Sequence, residues 1–134
     1  MIILNEMKSC FETAEQKFGF LLEAGFGRPI QDSGGLWGSL VYRGEKIAIS
    51  IDFELFEFFI YLTVCPAGRE GYHSQIHLIK ILRTLGLDDD YQSKTRNLGG
   101  KFDRCGEFLD IYVFALRENL SKIIENYDLI FEGK

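Results

Sequence analysis

The amino-acid sequence predicts an α+β fold in one domain spanning residues 1–134. The expected architecture is an antiparallel sheet of three to five strands, with a meander over 36–65, an N-terminal helix and two C-terminal helices packed on it. Three observations predict this. The run Lys46–Cys65, KIAISIDFELFEFFIYLTVC, alternates with period two on either side of an acidic turn, which places one set of side chains on each face of a sheet. Stripes of apolar residues at helical spacing flank that run on both sides. The order, helix then strands then helices, is that of an α+β chain rather than of alternating βα units.

Residues 3–24 carry Leu4, Met7, Phe11, Ala14, Phe18 and Leu21 at steps of three and four, one face of an amphipathic helix. Gly19 weakens that helix by about 1 kcal/mol relative to alanine. Gly25 is a natural C-terminal cap, and Gly27 and Pro29 mark the stop. Residues 26–35, FGRPIQDSGG, read as a loop. The first strand runs from Leu36 to Tyr42, and its Gly38 signals a bulge or a close backbone approach. Arg43-Gly44-Glu45 connects it to the strand 46–52, and an acidic turn leads into the strand 57–65. β-branched and aromatic residues dominate both strands, as a half-buried pleated surface favours. Pro66 has no amide hydrogen to give a ladder and ends the last strand.

A second helix is expected over 70–85, with Tyr72, Ile76, Ile79, Leu82 and Leu85 as its stripe and Gly86 as its cap. Residues 87–104 are polar and read as a long loop, with room for a short helical turn. The longest helix covers 105–128, where Phe108, Tyr112, Leu116, Leu120 and Ile123 share a face, and the tail from Leu129 is expected to fray. The face of the sheet that carries Phe59, Tyr61 and Cys65 is either partly covered or a contact surface.

With 46% hydrophobic residues the chain is no disordered segment, and at 134 residues it is long enough for a real core. The net charge of −5 argues against direct nucleic-acid binding, which depends on cations facing phosphates. No apolar run approaches the ~20 residues of a membrane span, so no membrane partner is expected. The start, MIILNEMKSC, lacks the basic region and long apolar core of a signal peptide. Cys10, Cys65 and Cys105 are odd in number and widely spaced, as expected of free thiols in a reducing, cytoplasmic compartment.

No catalytic constellation is evident, and no cofactor is expected. His73 and His77 stand four apart, but HSQIH lacks the glutamate of hydrolytic zinc helices and no third ligand is visible, so no metal is expected. Nothing marks any cysteine as a nucleophile paired with either histidine. Gly34-Gly35, Gly38 and Gly99-Gly100 match no phosphate-binding loop and read as turn chemistry. Two surfaces remain as candidates for partner binding. At the acidic hairpin tip, Asp52, Glu54 and Glu57 flank Phe56, an aromatic anchor ringed by charge. Against that stands burial of both Phe53 and Phe56 under the helices, which the pattern favours for the rings, with the carboxylates left in solvent. In the long loop, Asp88, Asp89, Asp90 and Tyr91 precede four cations, either as a recognition loop or as a solvated connection. Trp37 suits a hot spot or a half-buried core position.

The order FGFLLEAGF, then VYRGEKIAISIDFELFEFFIYL, then a helical half resembles small bacterial proteins associated, as immunity proteins, with polymorphic-toxin and contact-dependent growth inhibition loci. The resembling features are a helix ending near Phe18-Gly19-Phe20, a strand ending near Tyr42, and a hairpin with strands like Ile47–Asp52 and Phe56–Leu62. They cover about half the chain at the level of spacing, and they carry over no functional residue. The resemblance implies a non-enzymatic cytoplasmic inhibitor whose partner is a cognate toxin domain, for instance a basic nuclease. The alternative is a small-molecule-binding or enzymatic α+β domain with an aromatic-lined pocket.

Overall fold

The computed structural model describes residues 5–70 and 74–133. Helix α1 (Asn5–Lys17) and the single turn α2 (Phe20–Glu23) precede five strands: β1 (Ile30–Gly34), β2 (Trp37–Arg43), β3 (Ile47–Glu54), β4 (Phe59–Pro66) and β5 (Ile76–His77). Helices α3 (Leu78–Thr84), α4 (Tyr91–Leu98), α5 (Cys105–Glu125) and α6 (Tyr127–Glu132) follow, with a 3-10 turn at Phe102–Arg104. The strands lie in sequence order and every neighbouring pair is antiparallel. This is the α+β arrangement that the alternation in 46–65 predicts.

The alternation sorts side chains as expected. Leu40, Tyr42, Ile49, Ile51, Phe53, Ile60 and Leu62 are buried on the face that meets the helices. Phe53 meets Phe11 of α1 edge to face, with ring centroids 5.7 Å apart. Gly38 marks a close approach rather than a bulge: a Cβ there would stand 2.6 Å from Met7 Sδ and 2.8 Å from Phe11 Cζ. Burying a ring such as that of Phe53 stabilises the fold by about 1.5–3 kcal/mol.

Most of the outer edge of β4, the side away from β3, has no strand beside it, because β5 pairs only with Thr63 and Val64. Helical elements supply what a strand would. The Tyr112 hydroxyl of α5 donates to the Ile60 carbonyl at 2.8 Å, and the Gly100 amide donates to the Phe58 carbonyl at 2.7 Å. Both bonds satisfy carbonyls that a buried sheet edge cannot leave open.

Several elements depart from expectation. The segment 26–35 is not all loop: β1 pairs with β2 from Ile30↔Val41 to Gly34↔Trp37, turning through Gly35 at φ 66°. The sequence IQDSG has low strand propensity, and the ladder to β2 outweighs it. The first helix breaks at Phe18-Gly19 before α2, where Gly19 adds its backbone cost. Gly25, at φ 97°, then ends α2, with Phe26 N–H donating to Leu21 O and Gly25 N–H to Leu22 O. The second helix begins only at Leu78, since Ile76 and His77 pair with β4; Tyr72 and His73 lie outside the described residues. The long loop holds α4, whose inward stripe is only Tyr91, Thr95 and Leu98. The tail is helical over Tyr127–Glu132, with Tyr127 and Phe131 rings 5.1 Å apart. No helix among the described residues is long and apolar enough to cross a membrane.

Candidate functional site

The other face of the sheet is partly covered, open at Ile30, Asp32, Trp37, Arg43 and Tyr61 and closed at Ala48, Ser50 and Cys65, and the register arranges it in rows. Nearest the β3–β4 turn, Gly34, Trp37, Glu54 and Phe59 are cross-strand neighbours; the next row is Asp32, Ser39, Asp52 and Tyr61. Neither row contains a lysine or an arginine. At the opposite end Arg43, on β2, pairs with Glu70 from the chain beyond β4. Burial alone would raise the Glu70 carboxyl; backbone amides and the Arg43 guanidinium outweigh it and hold it below its ordinary range.

The β3–β4 turn is folded by one of its own carboxylates. Glu54 accepts from the Phe56 amide at 2.6 Å and from the Glu57 amide at 3.1 Å. Phe58 takes the left-handed conformation at φ 50° and sends its ring inward against Phe102 and Phe108, with centroids 5.0 and 6.1 Å away. The same reversal sends Phe56 outward. Phe53 is buried as expected, but Phe56 is 77% exposed, contrary to the expectation that both rings fold under the helices. The β1–β2 turn reaches the same end, since the Leu55 amide donates to the Leu36 carbonyl at 2.8 Å. Leu36 and Trp37 are there 47% and 46% exposed. The indole lies across Gly34, where a Cβ would stand 2.7 Å from Trp37 Nε1.

Asp52 lies within β3, one pleat in from the turn, and is half-buried. Burial pushes its carboxyl up, against hydroxyl hydrogen bonds from Ser50, at 2.8 Å, and from Ser39. Glu54, Phe56 and Glu57 therefore share the tip, while Asp52 belongs to the sheet face beside it.

Asp88, Asp89 and Asp90 build the entry to α4. The Asp88 carboxylate accepts from the Tyr91 amide at 3.2 Å and lies 3.7 Å from Arg83; Asp89 lies 3.9 Å from Lys94. Asp90 takes a left-handed conformation at φ 61°, which aspartate tolerates better than most residues. Tyr91 points into the core, 4% exposed, and burial raises its hydroxyl pKa. The predicted loop residues are thus brought together as a helix start, with three carboxylates outside and one ring inside.

Two arrangements went unread in the sequence. The first is a cleft of about 300 Å³ beside β4, lined by Phe59, Tyr61, His77, Ile79, Lys80, Arg83, Gln92, Thr95 and Arg96. His77 there caps α3, its Nδ1 accepting from the Ile79 amide at 3.2 Å, and burial lowers its pKa. The second is the pair Cys10 and Cys105, whose sulfurs are 3.6 Å apart across α1 and the start of α5. The Cys10 thiol, and then the Lys17 ammonium, hold Cys105 below the usual thiol range, while Cys10 is held above it. Among the described residues no group of three histidine, cysteine or acidic side chains could hold a metal ion. No protein family, curated protein or solved structure matches this chain.

Proposed function

We propose that this chain is a non-enzymatic, cytoplasmic protein-binding domain of the immunity type, which captures a basic toxin domain and occludes its active site. One observation carries the reading: Leu36, Trp37 and Phe56 are exposed apolar side chains at the same end of the sheet, as are Glu54 and Glu57. Aromatic anchors ringed by charge are what binding hot spots consist of. The two rows behind these side chains add Asp32 and Asp52 and hold no cation of their own; at the β4 end Phe59 and Tyr61 border Lys80, Arg83 and Arg96, so it is the β1–β3 side that suits a basic partner and speeds its approach. Against a nuclease, these carboxylates stand where substrate phosphates would. Asp88 and Asp89 already face Arg83 and Lys94 of their own chain, which favours the tip over the α4 entry as the contact surface.

The test is co-expression with the toxin domain encoded beside this gene, scored as restored growth, with association followed by stopped flow. The wild type restores growth. Trp37→Ala and Phe56→Ala each weaken capture by about 30-fold or more, the size of a hot-spot loss. Glu57→Lys slows association, and most at low salt. Restoration by all three variants at wild-type affinity and rate would show that another face binds. No restoration by the wild type would reject the immunity role.

A further inference from the structure

The cleft beside β4 has a chemistry unlike the rest of the surface. We infer that it is a binding site for a small aromatic anion, a single ring carrying a phosphate. Phe59 and Tyr61 border both this site and the rows behind the tip, but Leu36, Trp37 and Phe56 do not line it, and neither reading requires the other.

Charge gives the first argument. The chain carries a net −5, yet every ionised side chain lining the cleft is a cation: Lys80 from α3, Arg83 from the same helix and Arg96 from α4. Among the described residues, Lys80 and Arg96 have no acidic partner. Arg83 is held in place by Asp88 and by a hydrogen bond to the Gln92 side-chain oxygen. Cations left unpaired around a concavity are a standing attraction for a carboxylate or phosphate.

His77 adds a directional donor. Because its Nδ1 accepts the Ile79 amide, the neutral ring carries its proton on Nε2. That N–H has no partner among the described residues, and its ring lines the cleft. Thr95, by contrast, spends its hydroxyl proton on the carbonyls of Tyr91 and Gln92.

Rings supply the second half of the recognition. Phe59 and Tyr61 alternate along β4 with centroids 4.7 Å apart. Phe59 is locked edge-on by Phe108 at 5.0 Å, and Tyr61 meets His77 at 6.1 Å with the planes 86° apart. Tyr61 nonetheless stays 41% exposed, an ordered ring left open to solvent beside three cations. Such a ring accepts another ring by offset stacking or edge contact. A volume of about 300 Å³ lies at the small end of ligand pockets, which fits one ring with one acid group and not a dinucleotide. No side chain in the cleft pairs a nucleophile with an oriented base, so the assignment is to binding and not to catalysis.

The experiment titrates ¹⁵N-labelled protein with phenyl phosphate, with inorganic phosphate and phenol as the separated halves. Phenyl phosphate is expected to shift amides of β4, His77, α3 and α4, and to bind about tenfold or more tighter than either half. Losing Lys80 and Arg96 together, as Lys80→Ala with Arg96→Ala, weakens it by about tenfold or more, the cost of charge-assisted hydrogen bonds. Tyr61→Ala reduces it to the level of inorganic phosphate, and Arg28→Ala, ahead of β1, changes nothing. The altered side chains are exposed, and the dispersion of each variant's spectrum reports that it is folded. Absent or scattered shifts, wild-type affinity in the double variant, or equal affinity for phosphate and phenyl phosphate would each overturn the assignment.

Discussion

Replacing Tyr112 by phenylalanine removes one atom, and the structure says what that atom does. The ring is almost wholly buried against Phe108, 5.9 Å away and stacked, and phenylalanine keeps that packing. What is lost is the hydrogen bond to the Ile60 carbonyl, at 2.8 Å, on a stretch of β4 that β5 does not reach. An ordinary hydrogen bond contributes about 0.5–1.5 kcal/mol net, but an acceptor left buried and unpaired costs about 1–3 kcal/mol. The second figure applies here, since no neighbouring strand can take over. We therefore expect Tyr112→Phe to lower unfolding free energy by about 2 kcal/mol. With a urea slope of about 2 kcal/mol per molar, the midpoint falls by about 1 M at unchanged slope. Trp37 is the chain's one tryptophan and half-exposed, so its emission reports the transition. A midpoint shift below about 0.2 M would refute the reasoning, because the Ile60 carbonyl would then have another partner.

Burial raises the Asp52 carboxyl, so the folded state holds that proton more tightly than the unfolded chain does. Its stabilising contribution is full below the unfolded carboxyl pKa and is lost as pH rises through the higher folded value. Asp52→Asn should accordingly gain stability over the wild type at pH 7, with the gap closing towards pH 3; urea midpoints at the two values check this, and a gap that widens in acid would contradict it. Cys105, partly exposed at the start of α5, should attack oxidised glutathione, and Cys10 should then displace the mixed disulfide. Two thiols are oxidised and two glutathione molecules released, so peptide mapping should find a 10–105 link with Cys65 still free. A stable glutathione adduct on Cys105, or a link to Cys65, would show that the pair is misplaced.

The fold was legible where pattern and packing agree. In β2 and β4 one face is more deeply buried, and alternation reports it directly; β3 keeps the same register although Ala48 and Ser50 are buried on its second face too, and the stripe of α5 is wide and long enough to read the same way. The missed elements draw their stability from neighbours. β1 is a polar segment held by a ladder to β2, β5 is two residues long, and α4 shows only Tyr91, Thr95 and Leu98 to the core. That spacing, after an aspartate cluster and before Gly99-Gly100, was the available signal for α4. At the candidate site, the acidic tip was visible as composition. Which ring turns outward was not, because it depends on Phe58 adopting a left-handed backbone and on Glu54 capping the turn. The cleft was invisible for a different reason: Lys80, Arg83 and Arg96 look like solvated helix positions until α3 and α4 are brought against Tyr61.

The meander also sets an order of assembly. The connections 35–36, 44–46 and 55–58 are short, so β1 to β4 pair through local loops whose closure costs little entropy. The cover for their apolar face is not local in the same way. Helix α1 is made before the strands, but α5, which packs against both α1 and β4, follows them by some forty residues. During synthesis the nascent sheet therefore holds Ile60, Leu62 and the unpaired outer edge of β4 open until α5 leaves the ribosome. Over that interval the chain is a substrate for chaperones and for strand-to-strand association. Variants that slow α5, rather than those that weaken the hairpins, are the ones expected to lower the yield of soluble protein in a cell.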